Sequence, residues 1–199
     1  MDKKDLCLSL FIGIVNAFIF FLLLKRFNLG IPYLEWSSMA IPFLVLGGIY
    51  LADFLGRKWK IIFQASKFFL VGTLNTFIDL GVLEVLTWLS GIEKGYGVTF
   101  FKAISFLVAT TNSYFWNKHW TFGKKEKMVA VGEYFRFVLV TAIGLSINAL
   151  SFHFVFNVIG PQFSLALALW RLFSVIVAAF CAFVWNFLAS KFLVFEKKK

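Results

Sequence analysis

Charge is scarce in this chain. Only 15% of its 199 residues are charged, where soluble domains carry roughly a quarter. Acids number ten against twenty bases, and there are two histidines and two cysteines. With only His119 and His153 and no clustered thiols, no metal-ligand set can be assembled. No glycine-rich loop stands ready to cradle a phosphate, and the polar connections are too short for a catalytic domain. Neither an enzyme nor a bound cofactor is expected. Cys7 and Cys181 both fall in apolar stretches, where each reads as a small buried hydrophobe rather than half of a disulfide. No small-residue cleavage site follows the first apolar stretch, so no cleaved signal peptide is expected.

What is present is hydrocarbon. The chain is 60% hydrophobic with 28 phenylalanines, and its mean hydropathy is +0.84. The apolar residues come in blocks of roughly 18–25, the helix length that crosses about 30 Å of lipid. Six such blocks occur, near residues 6–24, 38–55, 68–89, 98–116, 137–158 and 165–188. Lipid offers no hydrogen bonds to a bare backbone, so each must be a helix. The expected class is an all-α membrane protein with six transmembrane helices.

A net charge of +10 would suggest nucleic acid in a soluble chain. Here the positives cluster in alternate connections, which argues for the positive-inside rule and against a nucleic-acid partner. Lys3 and Lys4 precede the first span; Arg57, Lys58, Lys60 and Lys67 follow the second. Lys118, Lys124, Lys125, Lys127 and Arg136 follow the fourth, and Lys191, Lys197, Lys198 and Lys199 close the chain. These are fifteen of the twenty positives, and they predict both termini on the cytoplasmic side of the cell membrane. Lys25 and Arg26 fall on the opposite side as a mild violation.

The last four spans repeat. A shift of 69 residues lays Lys67-Phe68 on Arg136-Phe137, Asp79 on Asn148, Lys102 on Arg171, Ser105 on Ser174 and Trp116-Asn117 on Trp185-Asn186. Four extra residues then precede Lys191-Phe192-Leu193-Val194-Phe195, which echoes Lys118-His119-Trp120-Thr121-Phe122. The last four helices are thus expected to form a duplicated two-helix hairpin with parallel pseudo-two-fold repeats. Residues 1–60 would be a separate hairpin and 61–199 the four-helix domain. Two copies on one axis point to a shared cavity between them.

Polar groups inside the spans are the candidate site. Asp79, Glu84, Lys102 and Arg171 each cost roughly 2.5–3.5 kcal/mol near mid-bilayer, so lipid-facing positions are disfavoured. Counting from the basic ends puts Glu84 and Lys102 both about 25 Å up, which predicts that they pair or share a ligand. Asp79 sits lower, with Asn75 and Thr76 a turn beneath it. Asp79 and Glu84 are five residues apart, about 140° around the helix, and cannot both face one narrow site. Lys102, Ser105, Ala109, Asn112 and Trp116 share one face of the fourth span, as Arg171, Ser174, Ala178, Cys181 and Trp185 do on the sixth. Bland readings compete with the functional ones. Lys102 and Arg171 can snorkel to headgroups, Asn148, Ser105 and Ser174 can be interhelical glue, and His153 can be an interfacial histidine. Trp120, Phe122, Phe192 and Phe195 read as interfacial anchors beside lysines.

From Phe68 onward the chain resembles the GtrA-like family of small four-helix membrane proteins. The resemblance rests on Lys67-Phe68-Phe69-Leu70-Val71-Gly72 with Asn75 and Asp79, and on Trp116-Asn117-Lys118-His119-Trp120-Thr121-Phe122. Arg136-Phe137 with Asn148, and Asn186-Phe187 through Lys191 to Phe195, complete it. It covers about residues 64–196, and Asn117-Lys118 stands where an Asn-Arg pair is common in the family. The resemblance implies work on cell-surface polysaccharide: moving polyprenyl-phosphate-linked sugars across the membrane, or assisting the membrane glycosyltransferase that makes them. A carrier of that kind needs cations for phosphate and acids and amides for hydroxyls. Lys102 and Arg171 would supply the first; Asn75, Asp79, Glu84, Asn112 and Asn148 the second. Four helices make a thin wall around a sugar, so self-association or a partner subunit is also expected. A small multidrug-type exporter fits less well, because such proteins avoid a strong Lys/Arg bias.

Overall fold

The computed structural model describes residues 1–27, 33–92, 94–124, 131–162 and 167–195. Lys125, Lys127, Lys197, Lys198 and Lys199 of the basic segments, and the first two residues of the sixth expected span, lie outside them. Among the described residues six α-helices follow one another: α1 Lys3–Phe27, α2 Ile41–Gly56, α3 Lys60–Ser90, α4 Tyr96–Trp116, α5 Val131–His153 and α6 Leu167–Ala189. A 3-10 turn, Leu34–Ala40, leads into α2, and π-helical turns Asn117–Thr121, Phe154–Ile159 and Ser190–Val194 follow α4, α5 and α6. Among the described residues there is no strand, as the expected class requires.

Five of these helical stretches are long and apolar enough to cross a bilayer. The one that falls short is α4, and the reason is its polar residues: Lys102, Ser105, Thr110, Thr111 and Asn112 lower its hydropathy. Its 21 residues are sufficient in length. Ser105, Ala109, Thr110 and Tyr114 are buried within the fold, so much of what makes α4 polar is not offered to lipid. Helix α3 has 31 residues, about 46 Å, and begins two turns before the expected span at 68. The backbone of Trp59 is extended, which separates α2 from α3, and α3 ends where Gly91 adopts a left-handed conformation (φ 69°).

The chain divides into two compact units, Met1–Gly123 and Lys124–Lys199. The division falls between the two sequence copies and groups α1 and α2 with α3 and α4. In the first unit α1 buries Ser9, Ile12, Gly13 and Asn16, one stripe at helical spacing. Facing it are Val45, Ile49 and Ala52 of α2 and Leu70, Val71 and Leu74 of α3. Trp120 from the π turn closes this core at one end. The outward faces carry Phe18, Phe43, Leu44 and Phe54, the apolar coat a helix presents to acyl chains. Cys7 lies on such an exposed face rather than buried as expected, and both cysteines are free thiols.

In the second unit α5 turns Glu133, Phe137, Val140 and Gly144 inward, against Ser174, Ala178 and Ala182 of α6. The indoles act as interhelical donors: Trp185 Nε1 donates to the Val140 carbonyl at 3.0 Å and Trp170 Nε1 to the Val155 carbonyl at 3.2 Å. At Gly144 the two helices approach closely. A Cβ there would lie 2.1 Å from Asn186 Oδ1, so only glycine leaves room for the amide. Each unit ends on a π turn closed the same way. The Phe122 amide donates to the Asn117 carbonyl at 2.9 Å, and the Phe195 amide to the Ser190 carbonyl at 2.8 Å. These turns carry Trp120 and Phe195 inward, 6% and 4% exposed, so both are core residues instead of outward-facing anchors. Phe192, half exposed, is the residue of this set that does face out.

Candidate functional site

The polar residues of α3 and α4 meet along one seam. Lys102 forms an ion pair with Asp79, whose Oδ2 faces the ammonium. Ser105, one turn along α4, donates from Oγ to Asp79 Oδ1 at 2.5 Å. One turn toward the N-terminus of α3, Asn75 Oδ1 accepts from Asn112 Nδ2 at 2.8 Å, while Asn75 Nδ2 donates to the Val71 carbonyl at 2.7 Å. Pairs 79–102, 79–105 and 75–112 fix α4 antiparallel to α3. The spacing explains it: 75 and 79 are four apart on α3, and 102, 105, 109 and 112 form a single stripe on α4. Four residues expected in the site, Asn75, Asp79, Lys102 and Asn112, are therefore brought together. The Asp79 side chain is 21% exposed, and Lys102 retains 49% exposure, so the ammonium has a free flank.

Glu84 does not join them. Lys102, expected to pair with it, pairs with Asp79, and Glu84 lies 3.7 Å from Arg26 Nε of α1 instead. Depth was the wrong criterion: Glu84 and Lys102 are level, but the turn from Asp79 to Glu84 points Glu84 away from α4. The side chain of lysine is long enough to reach down to Asp79. Arg26, which broke the charge pattern, has its reason here as the partner of that carboxylate. Beside the pair is an apolar cleft of about 400 Å³ between α1 and α3, walled by Ile19, Leu22, Leu23, Val85 and Trp88.

The basic end of the first unit holds a second network that the sequence reading missed. Asp5 of α1 accepts from Lys67 Nζ at 2.5 Å and from Trp120 Nε1 at 2.9 Å, both through Oδ1. The Lys67 ammonium also stands over the rings of Phe63 at 4.6 Å and Trp120 at 5.6 Å. Inside the π turn, Asn117 donates from Nδ2 to the Ser113 carbonyl at 2.9 Å and accepts from Thr121 Oγ1 at 2.9 Å. Lys118, fully buried, donates to the Tyr114 hydroxyl at 3.1 Å. The signal that could have exposed this network is Asp5, an acid placed directly before the first apolar run at Leu6. Asn16, 1% exposed, donates to Thr73 Oγ1 at 3.0 Å and ties α1 to α3 in the same way.

In the second unit Asn148 is half-buried and Arg171 exposed, and among the described residues neither makes a side-chain hydrogen bond or ion pair. Ser174, the counterpart of Ser105, is fully buried and donates to the Trp170 carbonyl of its own helix at 2.8 Å. The acid-base pair of the first unit has no equivalent here, because Asn148 stands at the position of the acid. Among the described residues no cluster of His, Cys, Asp and Glu could hold a metal.

A family model, GtrA/DPMS transmembrane domain, matches residues 67–195. This chain belongs to the GtrA/DPMS family. Neither a curated protein nor a solved structure matches it. The resemblance drawn from Lys67 to Phe195 is thereby shown, and with it a place among membrane proteins that serve polyprenyl-phosphate-sugar processes. The GtrA/DPMS region opens at Lys67 and takes in the whole seam from Asn75 to Asn112. Helices α1 and α2 precede the GtrA/DPMS region, yet Asp5 of α1 is held by Lys67 and Trp120 from within it.

Proposed function

We propose that this protein translocates a polyprenyl-phosphate-linked sugar across the cytoplasmic membrane, for cell-surface polysaccharide synthesis or glycosylation, without itself catalysing a covalent step. Both termini face the cytoplasm in this reading, because fifteen of twenty basic residues fall on that side. The observation that supports transport most is the Lys102–Asp79–Ser105 cluster in the membrane-spanning part of α3 and α4, with Lys102 half exposed. An ammonium kept at that depth by one carboxylate can exchange part of that partnership for a passing phosphate, and the acid can accept from a sugar hydroxyl. Asn75 and Asn112 extend the polar path by one helical turn; within the second unit Arg171 and Asn148 are the matching cation and amide. Glu84 is not assigned to this path, since it belongs to the Arg26 contact.

A second reading has its own observation. Both Asp79 oxygens are engaged by α4, and Asn75 is satisfied by Asn112 and Val71, so the seam can serve as helix glue in a non-catalytic anchor of a membrane glycosyltransferase. The test is purified protein in liposomes holding a fluorescent polyprenyl-phosphate sugar, with an impermeant reductant reporting the leaflet. Wild type should expose the inner-leaflet label, and the Asp79→Asn, Lys102→Met double variant should lose this by at least about tenfold while folding normally. A wild type no faster than empty liposomes, or a fully active double variant, would sink the carrier reading. An active glycosyltransferase complex with that variant would favour the anchor.

A further inference from the structure

At the basic end of the first unit, α2 stops at Gly56 and α3 starts at Lys60, and the two run close together. A Cβ on Gly56 would lie 2.7 Å from Phe63 Cβ, so glycine permits the approach that sets Arg57 beside the start of α3. Here a cleft of about 420 Å³ opens, with Arg57, Lys60, Gln64 and Lys67 in its lining and Phe63 and Trp120 among its walls. Its charges are unequally committed. Lys67 is neutralised by Asp5 at 2.5 Å. Asp53 is engaged by the Met1 amino group at 3.0 Å and stands 3.7 Å from Arg57, whose side chain is 76% exposed. Among the described residues Lys60 and Gln64, one turn apart, have no side-chain partner. The first turn of α3 has no side-chain cap, so its amides add to the positive field.

We propose that this cleft binds the phosphate of an anionic membrane lipid, held by Arg57 and Lys60 with Gln64 as a further donor. Two cations and an amide at the start of a long helix match the three oxygens of a phosphate monoester. The cleft's depth points to a lipid rather than a free ion. Residues 60–67 precede the apolar run and cover about 11 Å of helix, the layer that headgroups occupy beside the hydrocarbon. Phe63 and Trp120 give the first methylenes of the chain an apolar wall. Arg57, Lys60 and Gln64 all precede the GtrA/DPMS region, so the proposed phosphate contacts lie outside that region and do not depend on transport through the seam.

The test uses the full chain in neutral detergent, with native mass spectrometry counting bound phosphatidic acid, farnesyl phosphate or phosphatidylcholine, and inorganic phosphate as competitor. Both phosphate-monoester lipids should bind, phosphatidylcholine should not, and inorganic phosphate at equal concentration should displace neither. The Arg57→Gln, Lys60→Gln pair should weaken binding at least about tenfold, while Lys58→Gln, whose ammonium lies over Trp59 at 4.8 Å, should stay within about twofold. Should the double variant not fold, Gln64→Leu gives the same readout without removing a charge. Equal loss with Lys58→Gln means diffuse surface charge and overturns the site, as does unchanged binding by the double variant. Displacement by inorganic phosphate overturns the lipid assignment.

Discussion

Replacing Lys102 with methionine leaves Asp79 in the membrane-spanning region with Ser105 as its remaining partner. A carboxylate stranded near mid-bilayer costs roughly 2.5–3.5 kcal/mol on insertion scales, whereas an interhelical polar contact in lipid is worth about 0.6 and at most about 1.7. With Asp79 still about a fifth exposed and hydrogen-bonded, the loss should be about 2 kcal/mol. Asp79→Asn alone should cost less, about 1 kcal/mol, because the half-exposed lysine can swing toward headgroups. The two changes together should cost little more than Asp79→Asn, since the stranded charge is gone, giving a coupling of about 1.5 kcal/mol. Reversible unfolding in mixed micelles, followed by tryptophan fluorescence across the four variants of the cycle, measures each term. Single effects that add within about 0.5 kcal/mol would refute the reasoning, since independent sites behave that way.

Other outcomes follow from close contacts. Gly144→Ala places a methyl where the Asn186 amide sits and should lower stability by about 1–3 kcal/mol, and adding Asn186→Ala should recover most of it in thermal melts. Trp120→Phe keeps an aromatic ring but deletes the 2.9 Å donation to Asp5 and leaves part of the buried indole's space empty, a combined loss of about 2 kcal/mol readable in the same assay. Glu84→Gln should leave the α3–α4 seam unaltered and act through Arg26. Cysteine cross-linking between α1 and α3 should therefore change while cross-linking between α3 and α4 does not.

Much was legible in residue order alone. Runs of hydrocarbon at lipid-crossing length dictate helices, because no other open structure satisfies its backbone in a bilayer. Spacing of four put Asn75 and Asp79 on one face of α3, and spacing of three and four put Lys102 and Asn112 on one face of α4, and the family pattern from Lys67 to Phe195 was readable without coordinates. Helix rotation and side-chain reach were not. Level with Glu84 in the count, Lys102 went to Asp79, and the arginine that broke the charge rule turned out to answer Glu84. Trp120 looked like a headgroup anchor by its neighbours, but the π turn swings it into the core to meet Asp5, 115 residues away. Sequence alone determined that this chain lives in lipid as helices and where its costly polar groups lie, since hydrophobic length and helical period are local quantities. Which acid meets which base, and which aromatic turns inward, only the tertiary structure decided, because those outcomes depend on how neighbouring helices rotate and how closely glycines let them approach.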